Sequence, residues 1–155
     1  MGDDDRTAAP DGIVIRPFAT KDQDAARRII VDGLAEHFGH VDEDVNADLE
    51  DITTSYAGDV FVVAVDAAAV VGTGALIYAG DGIGRVVRMS VRRRDRRRGI
   101  ASAILARLIA HARERGYWRV VLETGNWEDS IGFYASCGFH ETSRDAGGPN
   151  LALDL

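Results

Sequence analysis

Seven short segments of the chain carry the apolar pattern of β-strands. Most are rich in β-branched residues in continuous or alternating order, and turn-forming glycine, proline and aspartate separate them. The predicted strands cover residues 13–16, 60–65, 70–78, 85–91, 118–123, 139–143 and 150–155. The second and third of these are joined by a short turn, which predicts a hairpin.

Four other segments place apolar residues three or four positions apart, as a helix with one buried face requires. The predicted helices cover residues 20–39, 47–56, 100–115 and 127–136. The third has the strongest pattern, and Gly116 ends it. Its predicted buried stripe consists of Ile100, Ile104, Leu108 and Ala112.

The order of these elements is β-α-α-β-β-β-α-β-α-β-β, which predicts an α/β (α+β) fold with a mixed central β-sheet flanked by helices. A length of 155 residues suits one domain. We place that domain at residues 12–155 and expect residues 1–11, which are mostly polar, to form a disordered tail.

Composition narrows the class of protein. No apolar run approaches the roughly 18 residues of a membrane helix, and the acidic N-terminus is the reverse of a secretory leader. A single cysteine excludes an intrachain disulfide and a cysteine-rich zinc site. The use of seventeen arginines and one lysine indicates a GC-rich genome. We therefore expect a cytoplasmic, bacterial protein with no membrane partner.

Positive charge is concentrated in one part of an acidic chain. The net charge is −7, yet eight of the eighteen basic residues lie within residues 85–98. Such a cluster is compatible with a solvated face, a nucleic-acid surface or a phosphate site. The elements around the cluster decide among these three.

The basic cluster joins a predicted strand to the N-terminus of the predicted helix at 100–115. Unpaired amide groups and the helix dipole attract anions at such a terminus, and Gly99 and Ala101 leave room for a ligand near the backbone. The segment therefore predicts a phosphate or pyrophosphate site, although a glycine that only eases the turn is the plain alternative. Walker and dinucleotide-binding patterns are absent from the sequence.

Residues 91–105, VRRRDRRRGIASAIL, resemble the acetyl-CoA-binding motif of the GNAT superfamily of N-acetyltransferases. That motif has the form Gln/Arg-x-x-Gly-x-Gly/Ala, and Arg96, Gly99 and Ala101 match it. Residues 130–139, SIGFYASCGF, are similar to the second signature of the family, A-I-x-x-Y-x-x-x-G-F. The resemblance implies a single-domain GNAT fold in which strands 4 and 5 are splayed, and an enzyme that uses acetyl-CoA and releases CoA.

By this resemblance, acetyl-CoA lies where strands 4 and 5 diverge. The backbone of Met89 and Val91 would pair with the pantetheine arm, and amides of residues 97–101 with the Ser102 hydroxyl would hold the pyrophosphate. The predicted cofactor-binding residues are Met89, Ser90, Val91, Arg96, Arg97, Arg98, Gly99, Ile100, Ala101, Ser102, Trp127, Ser130 and Tyr134. A polyanionic cofactor also accounts for the basic cluster, so we expect no nucleic-acid partner.

Two residues are predicted to be catalytic. Tyr134 matches the tyrosine that, in the family, can protonate the departing sulfur of CoA, and Glu123 is the preferred general base, acting directly or through water. The alternative for Tyr134 is a packed aromatic ring without a catalytic role, and the alternative for Glu123 is an ordinary exposed carboxylate at a strand end.

The chain departs from the family pattern in two places. No carboxylate lies between Asp81 and Asp95, where many relatives have a glutamate, and Trp127 stands where asparagine is frequent.

The acceptor site is expected at the first helix and the loop after it. Its predicted residues are Glu36, His37, His40, Asp42 and Thr124. The acidity of this region favours a cationic amine as the acceptor. The alternative is that the region is only a solvated loop and binds no acceptor. His37 and His40, together with Asp42 and Asp44, leave only a weak case for a metal, so we predict no metal site.

The predicted function is an acetyl-CoA-dependent N-acetyltransferase that moves the acetyl group directly to a primary amine of a small molecule or protein. A catalytically weak acyl-CoA-binding regulatory module, or an acyltransferase using another acyl-CoA, is the alternative suggested by the missing carboxylate. Cys137 is expected to be an inert buried thiol rather than a nucleophile. A homodimer is possible if the last strand pairs across a two-fold axis.

Overall fold

The computed structural model describes residues 9–41 and 46–155. Four α-helices and seven strands follow the predicted order, with short 3-10 turns at Thr20–Asp22, Ala47–Glu50 and Arg93–Asp95. The elements are β1 Ile13–Pro17, α1 Gln23–Phe38, α2 Ile52–Ser55, β2 Val60–Asp66, β3 Ala69–Tyr78, β4 Ile83–Val91, α3 Ile100–Glu114, β5 Arg119–Glu123, α4 Glu128–Ser136, β6 His140–Asp145 and β7 Gly148–Asp154.

The strands form one mixed sheet in the order β1-β2-β3-β4-β5-β7-β6. Only β4 and β5 run parallel, and α3 lies in the long connection that parallel strands require. Every other neighbouring pair is antiparallel. This confirms the predicted α/β (α+β) class with a mixed central sheet. Pairing between β4 and β5 stops after Arg85 and Val121. The two strands diverge beyond that point, which confirms the predicted splay.

Helices cover both faces of the sheet. The stripe of α3 predicted to be buried packs on one face, where Ile104, Leu108 and Ala112 are fully buried against Val62, Leu76 and other strand residues. Burial of each large aliphatic side chain contributes about 1.5–3 kcal/mol. The other face is covered by α1 and α2, through a smaller cluster that includes Ala26, Ile30 and Ile52. The central strands are therefore covered on both faces, whereas every residue of the edge strand β6 is exposed.

The last strand occupies a different position from the one that the dimer hypothesis assumed. Strand β7 lies between β5 and β6 and is hydrogen-bonded on both sides. An inner strand has no free edge to pair with a second copy, so that argument for a homodimer was wrong, and β1 and β6 are the edges of the sheet.

The structure describes only the last part of the predicted N-terminal tail. Residues 1–8 of the predicted tail lie outside the described residues, whereas Ala9 packs against the main core and the carbonyl of Pro10 accepts a 3.0 Å hydrogen bond from the Ile13 amide. Within residues 9–41 and 46–155, no helix is long and apolar enough to span a membrane.

Candidate functional site

A bulge in β4 produces the divergence from β5. The register with β3 shifts between Thr73 and Ala75, and Arg88 takes a positive φ of 57°. That conformation is unfavourable for a residue with a side chain, and the hydroxyl of the fully buried Thr73 stabilises it by donating a 2.8 Å hydrogen bond to the Arg88 carbonyl. Bulges redirect strands and often lie beside active sites.

Three predicted cofactor residues follow this bulge. Met89 packs against the core on the α3 face of the sheet, whereas the Ser90 hydroxyl donates to the carbonyl of Ile29 in α1 at 3.2 Å. The carbonyl of Val91 accepts a 3.0 Å bond from Nε of Arg96. Ser90 thus ties α1 to β4. The edge of β4 that faces β5 has no strand partner beyond Arg85.

The loop before α3 has the shape of an anion site. Arg97 has φ 64° and Gly99, the N-cap of α3, has φ 81°. Left-handed residues of this kind turn successive amide groups toward one side of the chain. The first amide of this helix to donate to the backbone is that of Ala103, to the Gly99 carbonyl at 3.1 Å. The amides before it, including those of Ile100, Ala101 and Ser102, are the open donors of a helix N-terminus.

Arginines around this loop have different partners. Arg96 makes two hydrogen bonds to the Glu36 carboxylate, at 2.8 and 3.1 Å, and this contact holds the pKa of Glu36 below its usual value. Arg98 bonds to Asp95 and Asp66. Arg97 makes no side-chain hydrogen bond to any residue that the structure describes. Glu36, predicted for the acceptor site, therefore lies against the loop before α3.

A cavity of about 410 Å³ opens where β4 and β5 begin to separate, on the sheet face that α1 and α2 cover. It is lined by Asp48, Tyr56, Ile77, Arg85, Val86, Val87, Arg88 and Glu123. Two arginines and two carboxylates thus share one open cavity. We refer to it as the vertex cavity.

Arg88 and Asp48 form a tightly bonded pair at one side of the vertex cavity. The guanidinium donates to both oxygens of Asp48, at 3.0 and 2.6 Å, and to the side-chain oxygen of Asn46 at 2.9 Å. Tyr56 donates its hydroxyl to the same carboxylate. Burial raises the pKa of Asp48, but the hydrogen bonds from Arg88 and Tyr56 outweigh it and the pKa lies below its usual value. Burial and the contact with Asp48 raise the pKa of Tyr56 to about 12.

Asp48→Asn is expected to lower the free energy of unfolding at neutral pH by about 1–3 kcal/mol, because it leaves Arg88 without its counter-charge. A lowered carboxyl pKa stabilises the folded state above the unfolded pKa of about 3.9, and this contribution is lost as pH falls through the folded pKa. Urea unfolding should therefore show the gap between wild type and variant closing below about pH 4.

Asp32→Asn is the matched control for this measurement. Asp32 is exposed on α1 and has no ion pair with a described residue. Its substitution should change stability by less than about 0.5 kcal/mol at every pH. A gap between Asp48→Asn and wild type that stays constant from neutral to acid pH would contradict the role of the Asp48 charge.

Glu123 and Arg85 face each other across the beginning of the splay. Nη1 of Arg85 lies 2.8 Å from Oε1 of Glu123, and the Glu123 side chain is 68% exposed. The predicted base thus lines the vertex cavity. Thr124 follows it, and its amide donates to the carbonyl of Pro149 at 3.3 Å.

Tyr134 lies on α4, among apolar residues on the α3 face of the sheet. Its ring makes edge contacts with Phe133 and Phe139, at centroid distances of 5.0 and 5.8 Å. Burial raises the pKa of Tyr134 to about 12, so its hydroxyl is protonated at neutral pH. The hydroxyl has no hydrogen bond to a described residue, yet its oxygen is not sealed from solvent. Burial also raises the pKa of the neighbouring Cys137 thiol, which therefore stays protonated.

The C-terminus of α1 and the N-terminus of α4 meet through aromatic rings. His37 stacks on Trp127 with centroids 3.8 Å apart, and Phe38 meets the same indole edge-on at 5.7 Å. Trp127 is the N-cap of α4, and the half-buried Ser130 lies in the first turn. The stack therefore places α1 beside the open end of the splay.

The structure describes only part of the loop that was predicted to complete the acceptor site. His40 is exposed, and Asp42 and Asp44 lie outside the described residues. Across the described ranges, no group of three or more His, Cys, Asp or Glu side chains could hold a metal ion.

Sequence reasoning missed Asp48, Tyr56 and the part that Arg85 and Arg88 play in the cavity. Asp48 and Arg88 are forty residues apart, and no local spacing connects them. The one available signal is that the stretch without a carboxylate, between Asp81 and Asp95, contains Arg85 and Arg88 in the fourth predicted strand.

Comparisons with known proteins agree on a family. Residues 24–139 match the family model described as "Acetyltransferase (GNAT) family". The chain is 36% identical to human N-acetyltransferase 8B over 114 residues, which cover 68% of this chain and 50% of that protein. It is 29% identical over 145 residues to rice glucosamine 6-phosphate N-acetyltransferase 1, covering 86% and 84%. The chain thus spans about half the length of the mammalian relatives that it matches.

Solved structures share the fold. A Staphylococcus aureus acetyltransferase of the GNAT family has a TM-score of 0.84 and 22% identity, over 92% of this chain and 99% of that one. The paia N-acetyltransferase from Thermoplasma acidophilum, solved in complex with coenzyme A, has a TM-score of 0.79 at 13% identity, with the same coverage of both chains. At these identities the likeness establishes the architecture alone.

Proposed function

Because the chain belongs to the acetyltransferase (GNAT) family, we propose that it transfers the acetyl group of acetyl-CoA directly to a primary amine. The observation that carries this proposal is the placement of three features along one cleft. Open amide groups before α3 lie at one end, the unpaired edge of β4 runs along it, and the vertex cavity with Glu123 lies where the strands meet.

The residues present fit the phosphate end of CoA. Amides from Arg97 to Ser102 are open donors, and the Arg97 guanidinium is uncommitted among the described residues. A Cβ added to Gly99 would meet only Pro10, at 3.7 Å, so the loop leaves space beside its backbone. Helix N-termini with such amides are common phosphate sites. We assign the pyrophosphate to this loop and the pantetheine arm to the free edge of β4 at residues 89–91.

Acetyl-CoA supplies an activated thioester. The charged amine first gives one proton to a base. A C–N bond then forms between the neutral amine and the acetyl carbon, the C–S bond breaks, and the nitrogen loses a second proton while the sulfur gains one. An amine with a pKa of about 10.4 is mostly charged at pH 7, and neutralising it costs about 4–5 kcal/mol. Neutralising the charged amine is therefore more demanding than protonating the departing sulfur.

Glu123 is the proposed base and Tyr134 the proposed acid. Glu123 lines the vertex cavity, and its exposure allows it to act directly or through water. Asp48 is a poorer base because Arg88 and Tyr56 stabilise its charged form. Tyr134 holds its proton at neutral pH and makes no competing hydrogen bond to a described residue. The protonated Cys137 supports direct transfer rather than an acyl-enzyme.

The proposal is tested by titration calorimetry with acetyl-CoA, followed by mass spectrometry of a panel of primary amines incubated with the protein and acetyl-CoA. We expect micromolar binding and an amine that gains one acetyl group. Propionyl-CoA and succinyl-CoA in parallel test whether another acyl group is preferred. Binding without acyl transfer to any amine would favour the regulatory module, and absence of binding would overturn the proposal.

A further inference from the structure

We infer that the acceptor carries an oxyanion, a carboxylate or a phosphate, close to its reactive amine, and that Arg85 binds this group in the vertex cavity. This inference rests on the proposed function and names the class of amine that the same site takes. It adds an anionic group to the acceptor, whereas the acidity of the loop after the first helix favoured a cationic amine.

The two arginines of the vertex cavity differ in how far their donors are used. Every guanidinium nitrogen of Arg88 donates to Asp48 or Asn46, and its side chain is only 16% exposed. Arg85 uses one nitrogen, Nη1, for Glu123. Its Nε and Nη2 make no hydrogen bond to any described residue, and its side chain is 36% exposed. Arg85 therefore retains donors with which a guanidinium can bind an oxyanion.

The contact between Arg85 and Glu123 is easily exchanged for contacts with a ligand. Both side chains are more than a third exposed, and ion pairs of this kind contribute only about 0–1 kcal/mol. A molecule with an amine and an oxyanion a few bonds apart would replace the pair with two new ones. Its oxyanion would face Arg85, and its amine would face Glu123, the proposed base.

The charge of the vertex cavity also disfavours a polyamine. Asp48 and Arg88 neutralise each other, and Glu123 is offset by Arg85. An acceptor with several positive charges would therefore place one of them near the guanidinium of Arg85 or Arg88. No unpaired carboxylate of the cavity would balance that additional charge. An acceptor with no net charge, or a negative one, matches the groups that are free.

The test compares acceptors that differ only in the oxyanion. Phenylalanine is paired with phenethylamine, and glucosamine 6-phosphate with glucosamine, so that a carboxylate and a phosphate are examined separately. Calorimetry with the CoA-bound protein measures binding, and initial rates with acetyl-CoA measure kcat/KM. We expect the anionic member of at least one pair to be preferred about 10- to 100-fold, the range of a charge-assisted hydrogen bond to arginine.

Arg85→Gln should reduce that preference by about the same factor, in both binding and kcat/KM. Arg107→Gln, which removes an exposed arginine of α3 that does not line the vertex cavity, should leave that preference unchanged. Acetyl-CoA binding is measured in each protein. Normal acetyl-CoA binding with equal or better use of the amines that lack an oxyanion would overturn this inference alone. Loss of acetyl-CoA binding in the wild type would overturn the proposed function, and the inference with it.

Discussion

Gly99→Glu is expected to weaken acetyl-CoA binding by at least about 100-fold, which corresponds to about 2.7 kcal/mol. The substitution puts a carboxylate where open amides before α3 attract phosphate. It also forces a side chain into a backbone conformation with φ 81°, which costs about 1–2 kcal/mol. Titration calorimetry with acetyl-CoA measures the effect on binding, and thermal unfolding measures the effect on the fold.

The control must separate lost charge complementarity from lost stability. Gly116→Glu serves this purpose, because Gly116 follows the C-terminal end of the same helix, has φ 77° and has nothing within 4 Å of an added Cβ. The Gly116→Glu variant introduces the same negative charge and a similar backbone strain from positive φ, but at the end of α3 opposite the proposed phosphate site. We expect Gly116→Glu to lower stability yet bind acetyl-CoA within about 2-fold of wild type. Equal loss of binding in both variants would show that Gly99 acts through the fold.

Tyr134→Phe is expected to lower kcat by about 100-fold with little change in acetyl-CoA affinity. General acid catalysis contributes about 10²–10⁴-fold, and the lower end applies because a thiolate with a pKa of about 8.5 leaves readily. The ring is retained, so contacts with Phe133 and Phe139 persist. Steady-state kinetics measures kcat, and calorimetry measures affinity. Tyr117→Phe, which removes a hydroxyl from a residue outside the cleft, should leave kcat unchanged.

The pH profile gives a second readout for Tyr134. With a pKa of about 12, the hydroxyl stays protonated below that pH. The wild-type rate should therefore rise as the acceptor amine loses its proton and show no fall attributable to Tyr134 before the pH approaches 12. Glu123→Gln should instead reduce the rate most at neutral pH, where a base is most needed. If Tyr134→Phe and Glu123→Gln both keep full turnover, the catalytic assignments are wrong while the fold stands.

Local patterns were sufficient for most of the elements and for the position of the loop before α3. The stripe from Ile100 to Ala112 predicted α3, because a helix brings every third or fourth residue to one face. Gly99 marked the loop before it, since a helix N-terminus and a residue tolerant of positive φ are features of consecutive residues. The second predicted helix was less accurate: Asp51, with φ −147° and ψ 88°, is not helical and separates a 3-10 turn from the one-turn α2.

By itself, the sequence determined the order of strands and helices, the mixed sheet and the position of the loop before α3. Tertiary structure alone decided which charges meet in the vertex cavity. Arg85 reaches Glu123 across 38 residues and Arg88 reaches Asp48 across 40. The tertiary structure also decided that β7 lies inside the sheet, between β5 and β6. The physical reason is that periodicity along a chain reports only which face a residue occupies. The meeting of two distant side chains depends on strand register, on the bulge at Arg88 and on the packing of α1 and α2 over the sheet.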